Sequence, residues 1–141
     1  MSYRITGTGS CIPDITKKNS DFLENKFLDT DGGKFQTSNS EIIDKFNSIT
    51  GIYERRYAPD EINCSDLAAV AAGLAINDSK LDQETLDYII VAHNTGDISC
   101  SSGQVDTLPS VASKVKAKLK IKNPNCVCLL YTSPSPRDWL Q

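Results

Sequence analysis

The residues best suited to chemistry are five cysteines and one histidine. The cysteines lie far apart for the most part and are odd in number: Cys11, Cys64, Cys100, Cys126 and Cys128. Only the last two are close, and a C-x-C pair with a single histidine in the chain is not a convincing metal ligand set. We therefore predict no metal site and no cofactor. Any Cys–His or Ser–His pair would have to use His93, because it is the one imidazole in the chain.

His93 follows the apolar, β-branched run 86–92, which predicts a central strand of a parallel sheet. The carboxyl ends of such strands are where α/β sheets bind ligands. A ligand-binding histidine and a histidine that is merely hydrogen-bonded at a strand end both remain open. The second interpretation is favoured.

Two other stretches resemble ligand loops only locally. Gly7–Ser10 follows a predicted strand, but the dinucleotide fingerprint needs a third glycine where the chain has Ile12. A calcium loop counted from Asp29 would need glycine and glutamate where Lys34 and Ser40 stand. Neither nucleotide nor calcium binding is predicted.

The composition is that of an ordinary soluble domain. The 141 residues are 39% hydrophobic and 23% charged, with a formal net charge of −3, so nothing indicates nucleic-acid binding. The alternate lysines from Lys114 to Lys122 predict a solvated surface. No apolar run reaches the ~20 residues that a bilayer requires, and the N-terminus lacks a signal-peptide core. We expect a cytoplasmic protein with reduced cysteines and no membrane contact.

The elements that would position these residues alternate between strands and helices. The pattern predicts a strand at 3–8, a short helix ending near Phe27, a helix from Ser38 to Gly51, an extended stretch at 52–57, a helix capped by Ser65, a strand at 86–93, a helix after Pro109 and a strand beginning at Cys126. The helix after Ser65 is apolar all round, as buried helices are. This order predicts an α/β fold with a largely parallel sheet and helices on both faces.

The last residues differ in character from the rest. Residues 128–138 match the translation of a transposase-type sequencing adapter, and 139–141 would then be index sequence. We interpret 128–141 as an adapter-derived tail and exclude it from the analysis of the fold. The remaining segment, 1–127, is interpreted as a partial N-terminal domain.

Five ordered stretches carry a family resemblance. They are Ile5–Pro13, Ile49–Arg56 with its TGIxERR-like signature, Ser65–Ala68 with the alanine-rich helix, Asp87–Thr95, and Leu108–Ser110 with the helix after it. Over residues 3–127 the chain resembles the β-ketoacyl-acyl-carrier-protein (ACP) synthase III family of condensing enzymes. The resemblance implies the N-terminal half of a thiolase-like fold.

The resemblance also implies an activity for the parent protein. Family members are acyltransferases of fatty-acid biosynthesis, in which a cysteine takes the acyl group from acyl-CoA or acyl-ACP. A histidine and an asparagine then assist decarboxylative Claisen condensation with malonyl-ACP. All three residues are expected beyond the truncation, so neither Cys126 nor Cys128 is catalytic and this chain is expected to be inactive. Another thiolase-fold condenser, such as an HMG-CoA synthase-like or secondary-metabolite synthase, and a purely non-catalytic fragment are the alternatives.

Comparison with the family pattern adds three expectations. The family often presents a tryptophan and an arginine to the CoA adenine, where this chain has Lys45 and Ile49, which favours a carrier-protein or unusual acyl donor. Leu108 matches the position that reaches across a homodimer to line the partner's acyl pocket, with ordinary loop packing as the alternative. Arg55 and Arg56 are expected to pair with acidic neighbours such as Glu54 rather than to bind an anion.

Overall fold

The computed structural model describes residues 3–100 and 102–131, without the side chains of 130 and 131. The strands are β1 (Ile15–Lys18), β2 (Glu54–Tyr57), β3 (Tyr88–Ala92), β4 (Asp97–Ile98), β5 (Val105–Asp106) and β6 (Val127–Tyr131). The helices are α1 (Asn39–Thr50), α2 (Cys64–Ser79) and α3 (Val111–Lys118), with 3-10 turns at Asn19–Phe22 and Gln83–Thr85. Most of the predicted tail, residues 132–141, lies outside this description.

The chain divides into two compact units, one of which is Pro13–Pro59. In this unit β1 and β2 pair antiparallel, and α1 lies between them in sequence. The predicted caps of α1 are confirmed. Ser38 Oγ accepts a hydrogen bond from the Glu41 N–H at 3.3 Å, Glu41 Oε2 accepts one from the Ser38 N–H at 3.2 Å, and Gly51 ends the helix at φ 66°.

Arg55 connects several parts of this unit through its guanidinium group. Its guanidinium donates to Asn19 Oδ1 at 2.6 Å and lies 5.7 Å from the ring centres of both Phe22 and Phe46. Arg56 lies 3.7 Å from Glu54 on the surface. The structural role predicted for the two arginines is confirmed, but Arg55 uses an amide and two rings rather than an acidic partner.

The other unit comprises Met1–Ile12 and Asp60–Gln141. Its helix α2 begins two residues earlier than predicted. Asn63 is the N-cap residue, and its N–H donates to the Asp66 carboxylate at 2.9 Å. The prediction that Ser65 caps the helix is therefore wrong: Ser65 lies inside the first turn and is 2% exposed.

A parallel pair and a helix form the core of this unit. β3 pairs with β6 in parallel register from Tyr88↔Val127 to Ala92↔Tyr131, as a βαβ crossover would give. Val111 and Val115 of α3 are buried and pack with Ala69 of α2 and with the partly buried β-strand residues Ile89 and Val91. The predicted apolar face of α3, which also includes Leu119, is confirmed.

The N-terminal segment is not the strand that the sequence predicts. Residues 3–13 belong to no strand of the structure. The backbone of residues 7–9 lies instead on α2, where the Thr8 N–H donates to Asp78 at 2.9 Å. A Cβ on Gly9 would lie 2.5 Å from Ala75 N, so only glycine fits there. The Gly-Thr-Gly sequence is therefore explained by close backbone packing.

The predicted fold class is confirmed as α/β. The parallel pair is β3–β6, while β1–β2 and β4–β5 are two-stranded antiparallel ladders. Within the described residues, no helix is long and apolar enough to cross a bilayer.

Candidate functional site

The carboxyl edge of the parallel pair is the candidate site. β3 and β6 end side by side at the paired residues Ala92 and Tyr131, and His93 is the first residue beyond β3. The β4–β5 hairpin and the first turn of α3 follow directly in the chain. Loops at this edge of a parallel sheet are where ligands bind in α/β proteins.

His93 lies beside a small cavity. The cavity has a volume of about 90 Å³, and its wall also includes Gly96, Asp106, Ser110 and Val111. Nδ1 of His93 is buried and finds no hydrogen-bond partner in the described part of the chain. The strand-end position is as predicted, but the hydrogen bond expected of a structural histidine is missing at this nitrogen.

A partly buried ion cluster lies in the hairpin next to this cavity. Asp97 is 6% exposed, and its Oδ1 accepts from the Ser65 N–H at 2.8 Å. Lys114 Nζ lies 3.0 Å from Asp97 Oδ2 and 2.8 Å from Asp106 Oδ2. The predicted solvated lysine surface is wrong at Lys114, whose side chain is 13% exposed. The reason is that both carboxylates of the hairpin face it.

The charges of this cluster stabilise one another. Burial alone would raise the pKa of Asp97, but the hydrogen bonds from Ser65 and Lys114 outweigh it and the pKa lies below its ordinary value. The pKa of Lys114 is raised, and its hydrogen bond to the Asp106 carboxylate is the largest cause. Asp97 and Lys114 therefore remain charged at neutral pH.

Two further lysines are also engaged rather than free in solvent. Lys116 Nζ donates to the Asn123 and Cys126 carbonyls, each at 2.7 Å. Lys118 Nζ lies 2.6 Å from Asp66 Oδ1. These contacts tie α3 to the segment before β6 and to α2.

Leu108, the one site residue predicted by number, stands at the end of the hairpin. It is 82% exposed and precedes Pro109 through a cis peptide bond. Two residues further, Ser110 caps α3, with its Oγ accepting from the Ser113 N–H at 3.2 Å. Leu108 is thus a large apolar side chain that loop packing does not cover.

Three of the cysteines, Cys64, Cys100 and Cys126, lack the surroundings of a nucleophile. Cys64 begins α2, where a helix dipole would favour a thiolate, but burial and the nearby Asp97 raise the pKa of its thiol. A hydrogen bond to Asp60 raises the pKa of Cys100. Cys126 is 3% exposed before β6, and Cys128 pairs in register with Ile89.

Metal binding finds no support in the residues described. No group of three or more His, Cys, Asp or Glu side chains is placed to hold an ion within 3–100 and 102–131. The Asp29 loop, dismissed above as a calcium site, instead closes on itself, with Asp29 Oδ1 accepting from the Asp31 and Gly33 N–H groups at 3.0 and 2.7 Å.

Solved structures define the class to which this fold belongs. The chain is similar to the 3-oxoacyl-ACP synthase III of Aquifex aeolicus, with 28% identity and a TM-score of 0.63 over 94% of this chain and 35% of that one. It is also similar to OleA of Xanthomonas campestris, with 18% identity and a TM-score of 0.65 over 92% and 33% of the two chains. The fold is that of the thiolase-like condensing enzymes.

The curated relatives to which this chain is similar include several β-ketoacyl-ACP synthases III. The β-ketoacyl-ACP synthase III of Clostridium acetobutylicum is 39% identical over 125 residues, which are 89% of this chain and 32% of the relative. That of Ehrlichia ruminantium is 35% identical over 122 residues, 86% and 32% of the two lengths. The chain is a homologue of the β-ketoacyl-ACP synthases III and spans about a third of their length. No family model matches it.

Proposed function

We propose that the protein to which this chain belongs is a condensing enzyme of the synthase III type. The observation that carries the proposal is the 39% identity to the Clostridium acetobutylicum synthase over 125 residues. The described residues of the natural segment, up to Val127, supply β3, the first residue of β6, the α2–α3 layer behind β3 and the loops at its carboxyl edge. These elements form one wall of the reaction site in the proposal.

The proposed reaction has two half-reactions. A cysteine of the parent protein attacks an acyl thioester, so that the acyl group becomes bound to sulfur and the carrier thiol leaves. Malonyl-ACP then loses CO₂, and the resulting carbanion attacks the enzyme-bound acyl group, which frees the cysteine and yields a β-ketoacyl-ACP. A histidine and an asparagine assist this second half-reaction, and the enzyme acts as a homodimer.

The 141-residue chain is inactive in this proposal. Three of the described cysteines are buried or have a neighbour that disfavours the thiolate: burial and Asp97 raise the pKa of Cys64, a hydrogen bond to Asp60 raises the pKa of Cys100, and Cys126 is 3% exposed. The match to curated relatives extends over 122 to 125 of the 141 residues. A match of that length is what residues 3–127 alone would give if 128–141 were a foreign tail, as we propose.

We further propose an acyl donor other than free acyl-CoA. On α1, Lys45 is exposed and Ile49 is 79% exposed. Neither residue can supply the ring that stacks on adenine or the planar cation that accompanies it. An acyl-ACP, whose recognition does not require an adenine contact, fits this surface better.

The test uses the natural protein, expressed from its intact gene. The purified enzyme is incubated with malonyl-ACP and either acyl-ACP or acyl-CoA of matched chain length, and CO₂ and β-ketoacyl-ACP are quantified. We expect one CO₂ per β-ketoacyl product, a higher kcat/KM with acyl-ACP, and no product from the nucleophile Cys→Ala variant or from the 141-residue chain. Absence of β-ketoacyl product from the intact enzyme with both donors would refute the proposed function.

A matched pair of variants tests the donor separately. Replacing Lys45 with Trp together with Ile49→Arg should lower the KM for acyl-CoA by about tenfold, because it restores stacking and a planar cation. Ser48→Arg places an arginine elsewhere on α1 without the tryptophan and should leave this KM unchanged. A wild-type enzyme that already prefers acyl-CoA would contradict the donor proposal and leave the condensing function intact.

A further inference from the structure

The hairpin β4–β5 is too small to be stable by itself. Its ladder has only two residue pairs, Asp97↔Asp106 and Ile98↔Val105. The turn adds the hydrogen bonds from the Ser99 N–H to the Gln104 carbonyl at 2.9 Å and from the Gly103 N–H to the Ser99 carbonyl at 2.7 Å. Isolated two-stranded hairpins are marginal in water even when longer, so the order of this one must come from outside it.

The first residue pair of the ladder would destabilise the hairpin further. Asp97 and Asp106 are directly opposite one another, and like charges in this arrangement destabilise a strand pair. Lys114 Nζ lies between the two carboxylates, 3.0 Å from one and 2.8 Å from the other. One cation from α3 thus converts a repulsive pair into an attractive cluster that bridges both strands.

The same cluster reaches α2. Asp97 Oδ1 accepts from the Ser65 N–H in the first turn of α2 at 2.8 Å, and Ser65 is 2% exposed. A buried carboxylate that lost Lys114 would retain its charge without a counter-ion, which is strongly unfavourable. Asp97 and Lys114 therefore act as the attachment of the hairpin to both helices.

Leu108 depends on this attachment. Two residues before it, Asp106 is held by Lys114, which also contacts the Asp106 carbonyl at 3.4 Å; two residues after it, Ser110 caps α3. The exposed leucine therefore projects from a short span anchored at both ends. If the hairpin separates from α3, the first of these anchors is lost.

We propose that Asp97 and Lys114 are positioning residues that hold the hairpin on α2 and α3 and thereby set the place of Leu108, and with it the acyl-chain preference of the enzyme. The acyl-chain part rests on the proposed function. The hairpin part rests on the geometry of this chain alone. The experiment therefore has two arms that fail separately.

The first arm measures hydrogen exchange of backbone amides in the 141-residue chain. Lys114→Met should raise exchange at 97–108 by about tenfold relative to β3 and α3, because local opening becomes easier. Lys114→Arg, which keeps the charge, should largely restore protection. Lys118→Met is the matched control: it removes a lysine one turn further along α3 that pairs with Asp66 instead, and it should leave the hairpin unchanged.

Several results would overturn this part of the proposal. They are wild-type protection of the hairpin in Lys114→Met, an increase spread equally over β3 and α3, or an unprotected hairpin in the wild-type chain. Should Lys114→Met fail to fold, Asp106→Asn keeps the Asp97–Lys114 pair and should loosen only the residues around β5. No change in Asp106→Asn would then count against the attachment.

The second arm measures acyl-chain preference in the intact enzyme. The ratio of kcat/KM for a long and a short acyl donor should change by about tenfold in Leu108→Ala, and in the same direction in Lys114→Met. The double variant should change little further. If Lys114→Met forms product but its ratio of kcat/KM for the two donors is that of the wild type, the positioning role is refuted while the proposed function stands. No product from the wild type would refute the proposed function, leaving the exchange arm to decide on the attachment.

Discussion

The two faces of the β3–β6 pair are equally apolar in sequence but differ in their surroundings. On one face Ile89 and Val91 pack against Val111 and Val115 of α3. On the other face Tyr88 and Ile90 are each 61% exposed, and Val127 and Leu129 are 46% and 41% exposed. The strands have the composition of a sheet buried on both faces, while the described residues cover one.

This difference indicates where the rest of a thiolase-like protein would pack. An apolar sheet face left in water promotes association, whereas the same face under a second layer becomes core. The chain spans about a third of its relatives' length, so the proposed parent protein has ample chain for this second layer. The same substitution on each of the two faces should therefore have opposite effects in the 141-residue chain.

The largest expected effect comes from placing a charge first in the helix α3 that covers one face and then on the open face. Val115 is 1% exposed, so Val115→Asp should destabilise the fold by more than about 4 kcal/mol and abolish it. Ile90→Asp, on the open face, should keep the fold and reduce association. Circular dichroism and light scattering of the two variants and the wild type measure this. Equal loss of helical signal in both variants would contradict the description of the faces.

Much of the fold could be predicted because local signals determine it. The caps of α1 and the apolar side of α3 follow from a few side chains and their spacing. The prediction of a strand at 3–8 was wrong. The sequence there does alternate between apolar and polar residues, but the backbone of Gly7 and Gly9 packs on α2 instead of pairing with another strand. The prediction that Ser65 caps α2 was wrong because Asn63, two residues earlier, has Asp66 three residues after it, which is the spacing of a capping box.

The candidate site was harder to predict than the fold. Leu108 could be named from its resemblance to a family position, and its exposure follows from the loop that carries it. The cluster of Asp97, Asp106 and Lys114 could not, because its members are up to 17 residues apart and only the hairpin brings them together. The available signal was a pair of aspartates flanking a long loop, followed by a lysine in the next helix.

A moderate effect is expected where α2 is covered by bare backbone. A Cβ at Gly9 would meet Ala75 N at 2.5 Å, so Gly9→Ala should destabilise the chain by about 1–3 kcal/mol through overpacking. Gly73→Ala is the matched control, because its Cβ would meet only Leu119 Cδ2 at 3.6 Å. It should be neutral or stabilise α2 by up to about 1 kcal/mol. Urea midpoints measure both, and similar midpoints would contradict the packing of residues 7–9.

The smallest effect is expected from pH. Asp97 and Asp66 have pKa values lowered in the folded chain, so their stabilising contribution is complete above the ordinary aspartate range and is lost as pH falls through the lower folded values. The free energy of unfolding, measured by urea denaturation, should therefore decline below about pH 4. The part of this decline that belongs to Asp97 should vanish in Asp97→Asn. An unchanged pH slope in that variant would contradict the charged state assigned to Asp97.

The most direct test of the account is to sequence the source gene across the codons for Val127 and Cys128, with primers outside the library adapter. The account predicts that the reading frame leaves the printed sequence after Val127 and continues through a cysteine at a helix start, and later a histidine and an asparagine. If the natural DNA encodes residues 128–141 as printed, followed by a stop codon, the adapter interpretation is wrong. The chain would then lack condensing chemistry altogether.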